Sequence, residues 1–144
     1  MRLSRTIAAS LIASAAFAFT GAASAEEMKM SAELSGAQEV PPVETSATGA
    51  TEVTYDTETK MLSWELEYSG LSSDATAAHF HGPAEPGENA PPMVPIEDFA
   101  SGSEGSAELT DEQAAALMDG KMYVNIHSAN HPDGELRGQV EPAM

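Results

Sequence analysis

Apolar and polar residues alternate most clearly between Met61 and Tyr68, where Leu62, Trp64, Leu66 and Tyr68 interleave with Ser63, Glu65 and Glu67. A two-residue period puts one face of a strand in a core and the other in water. The Thr- and Val-rich stretch from Ala47 to Tyr55 reads as its partner, with Asp56 to Lys60 as the hairpin connection. Met28 to Leu34 reads as a first strand closed by Ser35-Gly36, and Pro41-Pro42 marks an extended loop after it. Thr76 to His81 is a further short strand, stopped by Gly82-Pro83. From there to Pro95 the Pro- and Gly-rich composition predicts one long ordered loop.

One helix is predicted. Thr110 caps it, Gln113 completes a capping box, and Asp111 and Glu112 suit the positive end of the helix dipole. Gly120 ends it. Two last strands follow, Met122 to His127 and Glu135 to Val140, joined by a turn over Asn130 to Gly134. Many short strands with a single short helix predict an all-β, antiparallel sandwich or barrel.

The N-terminal residues do not fit this pattern. Arg2 and Arg5 precede an apolar run from Thr6 to Ala18, and Ala23-Ser24-Ala25 puts small residues where a signal peptidase cuts. That order predicts a secretion signal over residues 1–25, on a run short of the roughly 20 residues a membrane span needs. Residues 26–144 are then one domain, placed in the periplasm or secreted, with no membrane contact after cleavage.

Charge narrows the partners. All 23 acidic residues follow position 25, against Lys29, Lys60, Lys121 and Arg137, a balance of −19. Such a surface repels phosphate backbones and excludes nucleic acid as a partner. Cysteine is absent, so neither a disulfide nor a thiolate ligand is available. The chain also lacks a Gly-rich phosphate loop and a Gly-X-Ser-X-Gly nucleophile motif.

The four histidines fall into two clusters, His79-Phe80-His81 and His127 with His131. Residues i and i+2 of a strand share a face, so His79 and His81 project together. Two such imidazoles can share an ion at about 2.0 Å. His127 ends a strand and His131 follows in the adjoining turn, from which it can fold back. The expectation is one metal site built from His79, His81, His127 and His131. An all-imidazole set without thiolate suits copper, which heads the divalent affinity order, with zinc as the alternative. Asp133 and Glu135 are candidates for orienting the imidazoles.

At these residues the chain resembles the CHRD domain, a family named from chordin. The resemblance lies in Leu34-Ser35-Gly36-Ala37-Gln38-Glu39-Val40-Pro41-Pro42-Val43, in Ala77-Ala78-His79-Phe80-His81-Gly82-Pro83-Ala84, in Tyr123-Val124-Asn125-Ile126-His127, and in Gly134-Glu135-Leu136-Arg137-Gly138-Gln139. It implies a Greek-key β-sandwich of immunoglobulin-like or superoxide dismutase-like type. The His-X-His strand is also similar to the copper-binding strand of copper/zinc superoxide dismutases. The cysteines and zinc loop of those enzymes are missing, which leaves a copper-only site.

Three functions stay open. The first is a copper enzyme acting on superoxide, with Arg137 as the catalytic guide for the anion. The alternative for Arg137 is a salt bridge with a neighbour such as Glu135. The second is a non-catalytic copper buffer or carrier. The third is an adhesion or interaction module without metal, its protein partner unspecified by the sequence.

Overall fold

The strand read from Met61 to Tyr68 sits in the middle of three antiparallel pairings. β1 (Glu27–Ser35) pairs with β2 (Thr48–Asp56), β2 with β3 (Met61–Ser69), and β3 with β6 (Ser103–Glu108). The alternation has its expected effect: Met30, Ala32, Leu34, Val53, Tyr55, Leu62, Trp64 and Leu66 are all buried. The computed structural model describes residues 26–143, so the expected secretion signal at 1–25 lies outside the described residues.

The other strands are β4 (Ala75–His81), β5 (Pro92–Pro95), β7 (Tyr123–Ser128), β8 (Leu136–Gln139) and the two-residue β9 (Glu141–Pro142). One hydrogen-bonded path runs β5-β4-β7-β8-β1-β2-β3-β6, with β9 beside β1. The sheet curls until nearly closed. Trp64 of β3 meets Phe80 of β4 edge-on, with ring centroids 5.1 Å apart. The fold is therefore all-β and antiparallel, and its one α-helix among the described residues, α1 (Asp111–Met118), packs Ala116 and Leu117 inward. Its capping box is made: Gln113 N–H donates to Thr110 Oγ1 at 3.2 Å, and Thr110 N–H to Gln113 Oε1 at 3.0 Å. Among the described residues no helix is long and apolar enough to cross a membrane.

Two strands depart from the sequence reading. The stretch 82–95 is not all loop, because β5 pairs with β4, placing Val94 opposite Phe80 in the core. Its flanking prolines are tolerated because β5 is an edge strand. β6 has no apolar alternation to announce it. Gly105 faces Trp64 across the ladder, and a Cβ there would lie 2.5 Å from the indole ring. The tryptophan fills the space that a β6 side chain would otherwise claim.

What places the site is that β7 and β8 are buried on both faces. Val124, Ile126 and Leu136 enter the core, while Tyr123, Asn125, Arg137 and Gln139 form a second, polar layer beneath loops. Buried polar groups need partners. Glu135, fully buried at one end of this layer, accepts hydrogen bonds from Thr45 Oγ1 (2.8 Å), Ser72 N (2.9 Å), Ser72 Oγ (3.1 Å) and Ser128 Oγ (2.5 Å). It thereby ties three loops to β7.

Burial pushes the Glu135 carboxyl up, but these donors outweigh it and hold the group below its ordinary value. A carboxylate depressed in the fold contributes stability above its unfolded value, and that stability is lost as pH falls through the folded one. Glu135→Gln should therefore cost about 1–3 kcal/mol at neutral pH through unsatisfied donors. The difference from the parent should shrink below about pH 4.5, near the unfolded carboxylate value. Urea midpoints measured from pH 3 to 7 check this; parallel pH curves for the two proteins would refute it.

Candidate metal centre

The register of β4 on β7 brings the two histidine clusters together. His79 lies opposite Asn125, His81 opposite Tyr123, and Ala77 opposite His127. Opposed residues of an antiparallel pair share a face. The three imidazoles thus project from the same side of the sheet, over the polar layer. Their ring centroids are 5.6 Å (79 to 81), 5.4 Å (79 to 127) and 6.1 Å (81 to 127) apart. One ring nitrogen from each lies within 4.8 Å of the other two.

Two of the rings are oriented from behind. His81 Nδ1 lies 2.9 Å from the Ala90 carbonyl oxygen, and His127 Nδ1 lies 2.8 Å from that of Pro132. A carbonyl only accepts, so each Nδ1 carries a proton, and Nε2 is the nitrogen that a neutral ring would leave free for a metal. The ring nitrogens left buried and without a partner are His79 Nδ1, His81 Nε2 and His127 Nε2. Burial, then the neighbouring His127, lowers the His79 pKa below the ordinary histidine value. Burial likewise lowers that of His81 despite the Ala90 contact, with His79, His127 and Arg137 adding to the effect. Near neutral pH these two rings are neutral bases. Converging lone pairs without donors are costly when buried, and a cation resolves them. The donor set fits a metal ion held by three imidazoles.

His131, the fourth expected ligand, is not in this group of three. It shapes the turn instead. Its N–H donates to Ser128 O at 3.1 Å, and its carbonyl accepts from Ser128 N (3.2 Å) and Gly134 N (3.0 Å). That turn delivers the Pro132 carbonyl to His127. The imidazoles are oriented by main-chain carbonyls rather than by Asp133 or Glu135, since Glu135 is occupied by Thr45, Ser72 and Ser128.

Arg137 is 2% exposed and does not pair with Glu135. Its guanidinium lies 3.6 Å from the centroid of Tyr123 and donates to Asn89 Oδ1 (3.2 Å) and the Glu85 carbonyl (3.3 Å). Tyr123 in turn stacks on His81, with centroids 4.9 Å apart and 13° between planes. Because β7 lies between β4 and β8, the tyrosine ring separates the arginine from the histidines. The Tyr123 hydroxyl also bonds Ala90, donating to its carbonyl and accepting from its N–H, both at 3.1 Å. Sequence reading passed over Tyr123 as an orienting residue. The signal was its parity: positions 123, 125 and 127 share one face of a strand.

Glu39 was also passed over. Asn125 Nδ2 donates to its carboxyl and to the Leu136 carbonyl at 2.9 Å. Gly134, at φ +123°, leaves room for this pair, since a Cβ would come within 2.5 Å of Asn125 Nδ2 and 2.7 Å of Glu39 Oε1. Burial raises the Glu39 pKa to about 7 against the lowering influence of Asn125 and Arg137. A carboxyl raised in the fold binds protons that the unfolded chain releases, so stability falls as pH rises from about 4.5 to 7. The depressed histidines act oppositely, adding stability that disappears below about pH 6.5. Comparison with Glu39→Gln isolates the carboxyl. Relative to the parent, the variant should gain about 1–3 kcal/mol between pH 5 and 8. Denaturant melts at both pH values check it, and an unchanged difference would exclude a buried, raised Glu39.

The sequence model of the CHRD domain matches residues 30–140. Chordin of Danio rerio is 30% identical over 116 residues, an alignment covering 74% of this chain and 12% of chordin. The chain thus spans about an eighth of that relative's length. No solved structure matches it. The family match begins at Met30, in β1, ends at Val140, the last core residue of the sheet, and encloses all four histidines; the chain belongs to the CHRD domain family.

Proposed function

We propose that this chain is an exported copper-binding protein of the CHRD family, acting in the periplasm or outside the cell. It holds one ion on His79, His81 and His127. The observation that carries the reading is the convergence of three imidazoles, one ring nitrogen of each within 4.8 Å of the others, with a buried, unpartnered nitrogen on every ring. His81 and His127, preset by carbonyl hydrogen bonds, lose little freedom on coordinating a metal. With no thiolate in the chain, the set favours copper over other divalent ions by the general affinity order.

Non-catalytic holding or carrying of copper is the reading supported best. Arg137, the candidate guide for an anionic substrate, is buried behind Tyr123. The acidic surface also repels superoxide. One observation favours the enzymatic alternative: three ligands leave a coordination position for a small molecule. On that reading the chain is a copper-only superoxide dismutase with a Greek-key sandwich of the immunoglobulin or dismutase type. Copper, when bound, would supply one-electron exchange with superoxide. His79 and His127, both only half-buried, would form the accessible side of the site.

Metal analysis after expression with copper supplementation should find about one copper per chain. Changing His79 and His81 together to Ala should abolish it, whereas His131→Ala should retain it. Copper content unaffected by the double change would sink the proposed ligands, and zinc in its place would replace the metal. Absence of any metal would leave the interaction-module reading. A superoxide-consumption assay of the copper form then separates the two copper functions: the carrier reading expects no acceleration beyond the His79/His81 double variant.

A further inference from the structure

We propose that a second site lies in the cavity between the 37–42 segment and the Pro86-Gly87 turn, and that it binds a carboxylate carried on a short apolar group. The cavity measures about 400 Å³, within the range of small-ligand sites. Its walls are Ala37, Val40, Pro42 and Pro86, and its polar groups include Arg137 and Gln139. It stands apart from the histidines, since Tyr123 separates Arg137 from His81. It therefore does not depend on the metal reading.

Arg137 supplies the first argument. A buried cation is normally matched by an anion, because its desolvation is expensive. Arg137 is 2% exposed, yet its hydrogen-bond acceptors are a side-chain amide and a main-chain carbonyl, and it has no ion pair among the described residues. Those bonds use one N–H each of Nη1 and Nη2, of five N–H donors in all. The flat guanidinium fork matches a carboxylate in both shape and charge. Glu39 lies in the same wall but is engaged by Asn125 rather than by Arg137. Its carboxyl, raised to about 7, is partly protonated near neutral pH and leaves the arginine only partly compensated.

Gln139 supplies the second. Its Nε2 donates to the Ala84 carbonyl (2.9 Å) and the Gly120 carbonyl (2.8 Å), which fixes the amide orientation. Its Oε1 is then left buried with no donor, on a residue only 8% exposed. Both residues line the cavity, and an acceptor without a donor together with a cation only partly compensated suits a ligand with an N–H or O–H close to its carboxylate. A peptide C-terminus and a free 2-hydroxy acid both offer that chemistry. The apolar walls then take a small side chain.

The test uses the full chain without metal and three probes: N-acetylalanylvaline, its C-terminal carboxamide, and 2-hydroxyisovalerate. Nitrogen–proton NMR of the Arg137 Nε–H and the Gln139 side-chain amide, with calorimetry, reads binding. Saturable binding of at least one acid is expected, with shifts at both groups. The carboxamide should bind about tenfold more weakly or worse. Binding by the peptide acid alone assigns a chain terminus and binding by the hydroxy acid alone assigns a free small acid; both support the site. Ala37→Phe, a change at an exposed rim position, should abolish binding while leaving the thermal midpoint unchanged. Equal binding of acid and carboxamide, binding by no probe, or binding undiminished in Ala37→Phe would each overturn the proposal.

Discussion

A strand buried on both sides cannot leave the polar side chains of either one to water. β7 is such a strand, and much of the chemistry of this molecule follows from it. On its core side it contributes Val124 and Ile126. On its other side Tyr123, Asn125 and His127 need partners, and neighbouring strands and loops supply them. Asn125 takes Glu39 and the Leu136 carbonyl, Tyr123 takes Ala90, and Ser128 takes Glu135. These bonds pin the loops over the sheet. The loops in turn partly cover the histidines and supply the carbonyls that orient His81 and His127. The imidazole cluster is thus a consequence of covering one face of a sheet with polar loops.

The half of the fold with a solvated outer face was legible in the sequence, because Leu62, Trp64 and Leu66 alternate with residues that remain in water. The helix was legible because its capping box is local. β6 was not. Its sequence SEGSAE carries no apolar alternation, and it is held by its ladder with β3, where Gly105 makes room for Trp64. β5 was hidden by its prolines, which suit an edge whose position no local pattern reveals. Both strands depend on contacts remote in sequence, which periodicity does not encode.

The site divides in the same way. That His79 and His81 share a face follows from strand parity, and that His127 shares the face of Tyr123 and Asn125 follows likewise. That the two faces are one face depends on the β4–β7 register, a tertiary fact. His131 shows where parity stops: it lies in a turn, where side-chain direction is set by the turn's own hydrogen bonds. Arg137 illustrates a different difficulty. As the one arginine after position 25 it drew attention to an anion, but only the fold shows that Tyr123 stands between it and the histidines.

That intervening ring also links the two parts of the polar layer. The guanidinium lies on Tyr123, and Tyr123 lies on His81. A cation over an aromatic face draws on the ring's electron density, and its charge disfavours protonation of the histidine beyond. The same Arg137 is thus among the influences that keep His81 a neutral base. An anion placed against Arg137 would offset part of that charge. His81 would then become easier to protonate and, for the same electrostatic reason, better able to carry the positive charge of a coordinated metal. The effect on metal affinity is the difference between two attractions of the same sign, one for the proton and one for the ion. An ion of double charge gains more from the added anion than a proton does. Occupation of the cavity would therefore strengthen metal binding at the histidines rather than compete with it, with Tyr123 holding the two charges at fixed separation.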